Sequence, residues 1–373
     1  MNGPVAVLGA AGLVGRSVVG VLRELGVGDV KAGDRDTRWL AEATEHVHVD
    51  AEDAASLARF CAGAGLVLNC AGPSYLLLDR VARAALAAGA HYVDISGDRP
   101  VHHLLAASGA VAGPSRVVLS AGMMPGLANL VPHVLAGGDL AGADLVVHSG
   151  GIERFSRAAA GDLVLSVDGV DEAQQDAYWY GEALAAWRDG RPVSGALAPL
   201  EDVELPYFPG RVSLVPFLTA DSVRLARSAG LASLDWFTVF TGTRLRPALS
   251  RLRGRVPRER AALAAAADEL IAAGEVDRAG QDPYYLMVFT LYTGSSARTA
   301  VLRTTSSFRL SAATAALAVR AVLDGSVPPG LHHADEVLDP TQTLRGVLEL
   351  GALSAFDVHD HDRCSEPIEE GVL

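Results

Sequence analysis

The chain has 373 residues, half of them hydrophobic and a fifth charged, which is globular composition with enough length for two domains. A formal net charge of −13 argues against general binding to nucleic acid or to an anionic membrane surface. The cysteines Cys61, Cys70 and Cys364 are odd in number and lack C-x-x-C spacing, so neither a disulfide framework nor a zinc site is expected, and no other metal.

The start, MNGPVAVLGAAG, has no basic leader region. No apolar run reaches the roughly 18–20 unbroken residues of a membrane span. The expectation is a cytoplasmic protein with no membrane partner. The first third alternates short apolar runs with alanine-rich helical stretches. Strands are predicted at Pro4–Leu8, Asp29–Ala32, Glu45–Val49, Gly65–Asn69, His91–Ile95 and Arg116–Ser120. Helices are predicted at Leu13–Leu25, Ala54–Ala62, Leu76–Ala88 and Val101–Ala112. Alternation of this kind implies an α/β fold, a doubly wound Rossmann parallel sheet covered on both faces. From about Gly122 the pattern changes. After a helix at Leu127–Val134, strand-like runs crowd together: Ala143–His148, Leu163–Val167, Arg211–Val215, Ser233–Thr241, Tyr284–Tyr292 and Ala297–Thr304. Helical stretches interrupt them at about Asp171–Arg188 and Arg258–Gly274. This predicts a second, α+β domain with a mixed or antiparallel sheet. Ser311–Asp324 reads as a helix capped by Ser311 and ended by Gly325, and the tail after Phe356 reads as irregular. The expected division is 1–125, a Rossmann domain; 126–310, a substrate domain; and 311–373, a helix and tail returning toward the first domain.

The strongest site signal is Gly9-Ala10-Ala11-Gly12-Leu13-Val14-Gly15, placed between a strand and an amphipathic helix. Gly9 allows a sharp turn, Gly12 leaves room for a pyrophosphate and Gly15 lets the helix approach the sheet. The amides at the helix start then face the phosphates. The second strand ends in Asp34-Arg35. Asp34 stands where an acid bonds adenosine ribose hydroxyls, which favours NAD, while Arg35 can pair with a 2′-phosphate, which favours NADP. The choice between NADP and NAD stays open. Asp50, after the third strand, could approach the adenine. Cys70, Ala71, Gly72 and Pro73 end the fourth strand and leave room for the nicotinamide ribose.

The segments Val5–Gly15, Leu66–Gly72 (LVLNCAG), Ala87–Gly97 (AAGAHYVDISG) and Ser120–Leu127 (SAGMMPGL) resemble the saccharopine dehydrogenase-like reductases. The resemblance implies a Rossmann domain, an α/β substrate domain, a final helix returning to the first domain, and hydride transfer between a nicotinamide and a C–N bond, often an imine. Many members carry an acid before the Pro-Gly step where this chain has Met123-Met124. Tyr178, Trp179, Tyr180 and Trp187 are also unusual for a site gripping only charged amino acids. Both departures point to a small-molecule substrate less polar than an amino dicarboxylate. By analogy, the second sheet is expected to build a homodimer interface.

Reduction of C=N needs a proton for nitrogen or a group that keeps the iminium charged. The candidates are Tyr75, beyond the Gly72-Pro73 turn; Asp94, at the end of the fifth strand; and Arg157, which could grip a carboxylate bidentately. Bound water is a further proton source. His91, at a strand start, reads as structural. The leading reading is a nicotinamide-dependent reductase of a C=N or a C=C bond, and two others stay open: a non-catalytic dinucleotide-binding regulator, and an amine-transferring enzyme that uses NAD as an internal hydride store. The expected cleft has one wall at Gly72–Tyr75 and Ile95–Asp98. The other is expected from Met123–Pro125, Gly150–Arg157 and the aromatics of Asp176–Trp187.

Overall fold

A computed structural model describes residues 3–39, 43, 45–111, 113–166, 180–252, 255–257 and 259–362. The N-terminal half begins β1 (Val5–Leu8), α1 (Leu13–Glu24), β2 (Val30–Asp34), β3 (Glu45–His48) and α2 (Ala54–Cys61). It continues with β4 (Leu66–Asn69), α3 (Ser74–Leu77), α4 (Arg80–Ala87), β5 (His91–Asp94), α5 (Arg99–Ser108) and β6 (Arg116–Leu119). These six strands pair in parallel in the order 3-2-1-4-5-6, the doubly wound Rossmann arrangement. Period two divides each strand between two cores. Val5 and Val7 face α1 on one side, while Ala6 and Leu8 pack with Leu57, Phe60 and Val81 on the other. Burial on both faces is why these strands read as unbroken apolar runs.

The second half starts with α6 (Leu127–Ala136), β7 (Asp144–Ile152) and α7 (Arg157–Ser166). Then come β8 (Gly181–Ala183), β9 (Ala186–Arg188), β10 (Arg191–Val193), β11 (Leu200–Glu204), β12 (Arg211–Thr219), α8 (Ala220–Ser228) and β13 (Ser233–Phe240). Helices α9 (Leu245–Ser250) and α10 (Arg260–Arg278) precede the long hairpin of β14 (Tyr284–Thr293) and β15 (Ser296–Thr304). The chain ends in α11 (Ser307–Leu323), β16 (Gly330–His333), α12 (Ala334–Val337), α13 (Pro340–Glu349) and β17 (Ala355–Asp362). Ten strands form the second sheet, which is mixed: β13 and β7 run parallel, and the other pairings are antiparallel. The C-terminal segment serves both halves. β16 extends the Rossmann sheet beside β6, and β17 extends the second sheet beside β15. Among the described residues, no helix is long and apolar enough to cross a membrane.

Several predicted elements differ. The strand expected at Leu163–Val167 is the end of helix α7 as far as Ser166, because Ala160, Gly161 and Val164 bury one helical stripe. Part of the helix expected over Asp171–Arg188 lies outside the described residues. From Gly181 that stretch is the strands β8 and β9, with positive φ at Gly181 (151°) and Leu184 (64°) interrupting any helix. Helix Leu76–Ala88 is broken into α3 and α4 at Leu78, whose φ is 48°. Helix α11 begins one turn before Ser311. Ser306 is its cap, accepting from the Arg309 amide, while Ser311 accepts from Met123. The tail expected to be irregular is strand β17 as far as Asp362, its His/Asp alternation serving pairing: His361 bonds Thr299 at 3.1 Å and Asp360 meets Arg298; the rest of it lies outside the described residues.

The second core centres on the hairpin β14–β15. Phe289 is fully buried there, edge-on to Trp236 at 6.1 Å. Phe289→Ala is expected to lower stability by about 3–5 kcal/mol in denaturant unfolding. A loss below about 1 kcal/mol would mean that this core is loosely packed.

Candidate active site

A cleft of about 790 Å³ opens beyond the carboxyl ends of β1, β2, β4 and β5 and is closed from the other side by β7, α7, β12 and β13. This is where open α/β sheets bind ligands. At one end lies the glycine turn. Gly9 has φ +78°, and a Cβ on Gly15 would sit 2.2 Å from the Gly9 carbonyl oxygen, so α1 can only approach the turn this closely with glycine there. Gly12 caps α1 with no side-chain hydrogen bond, which leaves the first amides of the helix for a ligand. Ala11, Gly12, Leu13 and Val14 line the cleft, whereas Gly9, Ala10 and Gly15 form the turn behind them. Asp34 ties this turn to β2, accepting from the Ala11 amide at 2.9 Å and the Asp36 amide at 3.1 Å. Arg35 is exposed beside it on the cleft. The donors and the open backbone fit a dinucleotide pyrophosphate, and Asp34 and Arg35 stand beside them on the cleft.

Cys70, Ala71 and Gly72 line the cleft, and Pro73 caps α3 just behind them. Burial raises the Cys70 thiol, which keeps it neutral. Tyr75 lines the cleft and packs against Tyr180, the ring centroids 3.8 Å apart and the planes tilted by 32°. Its hydroxyl is raised well above the usual value, first by burial and then by the nearby Asp162, Asp98, Tyr180 and Asp221.

Asp94 is not on the cleft lining. It accepts from Tyr92 (2.5 Å), from Asn69 (3.0 Å) and from the Ser96 amide (2.9 Å), and Asn69 in turn accepts from Ala71. It therefore fixes the turns after β4 and β5 from beneath. Asp50 also stands away from the lining and holds the turn into α2 through the Glu52 amide. Arg157 is at the rim, 82% exposed, with both ends of its guanidinium on Asp268. Of the expected opposite wall, Met124, Pro125, Gly150–Glu153 and Phe155–Arg157 line the cleft. Trp187 does not; it is buried in the second core, donating to the Leu231 carbonyl. Tyr178 and Trp179 lie outside the described residues. His91, read as structural, accepts the Arg116 amide at 3.1 Å.

Two carboxylates on the lining, Asp162 and Asp221, escaped the sequence reading, and Asp98 closes the expected segment Ile95–Asp98. Asp162 on α7 accepts from the Ser74 and Tyr75 amides at 3.1 and 3.2 Å, docking the second half onto the start of α3. Burial raises it to about 7 although both amides pull it down. Asp98, at the start of α5, and Asp221, on α8, both line the cleft, Asp98 close enough to raise Asp221. Asp221 and Asp335 both bond Arg224, and Asn129 donates to Asp335 at 3.2 Å. A lone acid inside the apolar run Ala158–Leu165 was a usable signal for Asp162. Asp221 was hidden because it looks like an ordinary first-turn acid behind the Thr219 cap.

The folded chain holds the Asp162 proton to about pH 7, whereas an unfolded chain releases it near 3.8. The fold therefore binds more protons across that window, and its stability falls as pH rises through it. Asp98 and Asp221 are raised by burial and tilt the slope the same way. Asp162→Asn is expected to flatten this slope by up to about 1.4 kcal/mol per pH unit, the linkage of a single proton, in thermal midpoints taken from pH 4 to 8. A slope unchanged by the substitution would show that Asp162 carries no such proton.

The family model of the saccharopine dehydrogenase NADP binding domain matches residues 5–197, just over half of the chain. Among solved structures, apo histidine-tagged saccharopine dehydrogenase (L-Glu forming) from Saccharomyces cerevisiae has a TM-score of 0.64 at 15% identity, over 96% of this chain and 100% of that one, a likeness of fold. Uronate dehydrogenase from Agrobacterium tumefaciens matches 25% of this chain and 40% of its own, at 23% identity and a TM-score of 0.23. None of the curated proteins matches the chain. The chain belongs to the saccharopine dehydrogenase-like family of NAD(P)-binding oxidoreductases.

Proposed function

We propose that this protein reduces the C=N bond of a small biosynthetic intermediate at the expense of NADPH or NADH, and that its substrate is less polar than an amino dicarboxylate. One observation carries the reading. A single cleft runs from the glycine turn to Tyr75 and Asp162, so the dinucleotide turn and the groups able to hold a proton face one cavity. In this reading residues 1–125 are the dinucleotide domain, 126–310 the substrate domain, and 311–373 the segment that ties them.

Bound NAD(P)H supplies the hydride. The chain supplies position, dryness and the proton. Residues Gly9–Gly15 hold the pyrophosphate, Asp34 and Arg35 the adenosine ribose, and Cys70–Pro73 border the nicotinamide ribose. Tyr75 is the group of α3 that presents an O–H to the cleft; Asp162, raised to about 7, is matched to proton exchange near neutrality. Asp94 is a positioning residue beneath both. Met124, Ile152, Phe217, Phe240 and Tyr285 line the substrate side and support a ligand with an apolar body. Walls from both halves exclude water, which protects an imine from hydrolysis. Arg157 closes the rim with Asp268.

Two measurements test the reading. Gly12→Asp places a carboxylate where the pyrophosphate approaches, and is expected to abolish dinucleotide binding in a nicotinamide fluorescence titration; unchanged affinity would make the turn purely structural. Steady-state oxidation of NADPH and NADH is followed with mixtures of aldehydes or ketones and amines that lack carboxylates. Tyr75→Phe is expected to lower kcat by roughly 10²-fold with little change in KM, the usual size of a lost proton-transfer group. Dinucleotide binding with no oxidation across the panel would favour the non-catalytic regulator instead.

A further inference from the structure

We propose that helix α10 is a strap across the dinucleotide end of the cleft, fastened to the Rossmann half by the ion pair of Arg260 with Glu52, and that release of this pair sets how fast the dinucleotide leaves. The proposal rests on the reading of the cleft as a dinucleotide site and adds the step by which that site opens.

The path of the helix is the first argument. α10 has 19 residues, roughly 28 Å of helix. Gly274 and Asp277, toward its C-terminal end, line the cleft, and Asp277 accepts from the amides of Thr243, Arg244 and Leu245. Arg260, at the opposite end, reaches the Rossmann half and bonds both carboxylate oxygens of Glu52, just before α2. Glu52 stands near the dinucleotide end of the cleft: its carboxyl is held below the usual range first by Arg260 and also by Arg35, which is on the lining. Asp50 in turn acts on Arg260. The helix therefore runs from the lining of the cleft to the loop after β3, close to Arg35.

The second argument is how little else fastens that end. α10 packs into a small core with Val164 of α7 and Ala248 of α9, and among the described residues no member of this core comes from residues 1–125. Leu263 is the first buried residue of the helix. Before it, Glu259, Arg260, Ala261 and Ala262 are all exposed, and Glu259 at the cap position makes no side-chain hydrogen bond to the helix. The first turn has neither an apolar anchor nor a cap, and a two-pronged guanidinium–carboxylate contact holds it.

The third argument is the strength of that contact. The Arg260 and Glu52 side chains are 65% and 38% exposed, so water and salt reach the pair. An exposed ion pair shifts an equilibrium by only about two- to fivefold. The first turns of α10 can therefore lift while the two sheets, α11 and the contact of Asp162 with α3 stay in place, which is local opening of a weakly held end.

Release is measured by stopped-flow displacement of NADPH and NADH, read by nicotinamide fluorescence, and opening by amide hydrogen exchange on the full chain without ligand. Glu52→Gln and Arg260→Gln are each expected to speed release of both dinucleotides about two- to fivefold at low salt. In the unliganded chain the same variants are expected to raise exchange in the first turns of α10 by a like factor and to leave its C-terminal half unchanged. High salt is expected to bring exchange of the unsubstituted chain to the level of the variants. The double variant is expected to match either single one, because each removes the same pair. Release rates unchanged in both variants would overturn the strap, as would additive effects of the two substitutions. An effect confined to NADPH would give Arg260 to the 2′-phosphate and overturn it as well. A chain that bound neither dinucleotide would sink the reading of the cleft, and exchange at the first turns of α10 would still decide whether Arg260 and Glu52 fasten them.

Discussion

The shared helix α11 is the constraint on which the site depends. Its residues are divided between two cores: Leu310, Ala313 and Leu317 pack with the second sheet, and Ala312, Ala315, Ala316, Val319 and Val322 pack with the Rossmann sheet. A helix buried on nearly all sides has little room for bulk, and alanine meets that limit while keeping the best helix propensity. Its one buried hydroxyl in the middle, Thr314, is satisfied by the Leu310 carbonyl. Because α11 is packed into both halves, the gap between the sheets is a built dimension. Asp162 on the start of α3 is a second, polar tie across the same gap. Acids from α5, α7 and α8 can converge on one cavity only if the two halves hold a fixed relation.

Buried polar groups mark where that relation is set. The Asp94 knot lies within the Rossmann half and satisfies its carboxylate with a phenol, an amide side chain and a backbone amide. The Arg224 cluster spans elements from the second half and the C-terminal segment, with Asn129 of α6 bonding the Asp335 carboxylate. Such groups are expensive to take out of water and contribute little net stability unless every partner is in place. Their value is geometric. Asp94 orients the turns that carry Ala71 and Ser96, and Arg224 holds Asp221 at the end of the cleft. Asp98, at its own helix start, accepts from the Arg99 amide and lies close to the Arg224 guanidinium.

Much of the Rossmann half was legible because its signals are local. Gly9, Gly12 and Gly15 are spaced by the needs of one turn, and each buried strand reads as an apolar run independently of the others. Legibility fell where tertiary contacts choose the local structure. Leu163–Ser166 is apolar enough for a strand, yet α7 is a helix because it must present Asp162 and a small-residue stripe to neighbours. β17 carries alternating His and Asp, a pattern that looks like a frayed tail until β15 supplies its partner. The same divide runs through the site. The dinucleotide turn could be read from one contiguous motif. Asp98, Asp162 and Asp221 come from separate parts of the chain, and each alone resembles a helix cap or a surface charge. Tyr75 could be placed because it follows the strand-end turn; its pairing with Tyr180 needed the second half in position.

Charge is unevenly spread over the lining of the cleft. At the glycine turn, the N-terminus of α1 offers unpaired amides with the positive end of its helix dipole, and Arg35 stands beside it. Elsewhere on the lining stand Asp98, Asp162 and Asp221, with Arg224 bonded to Asp221 and both Arg224 and Arg99 close to Asp98. A dinucleotide is anionic through its phosphates, so the amides of α1 and Arg35 mark the end of the cleft suited to it. The apolar rings around the three carboxylates limit hydration of their charge, and low local polarity makes each carboxylate count for more than it would in water.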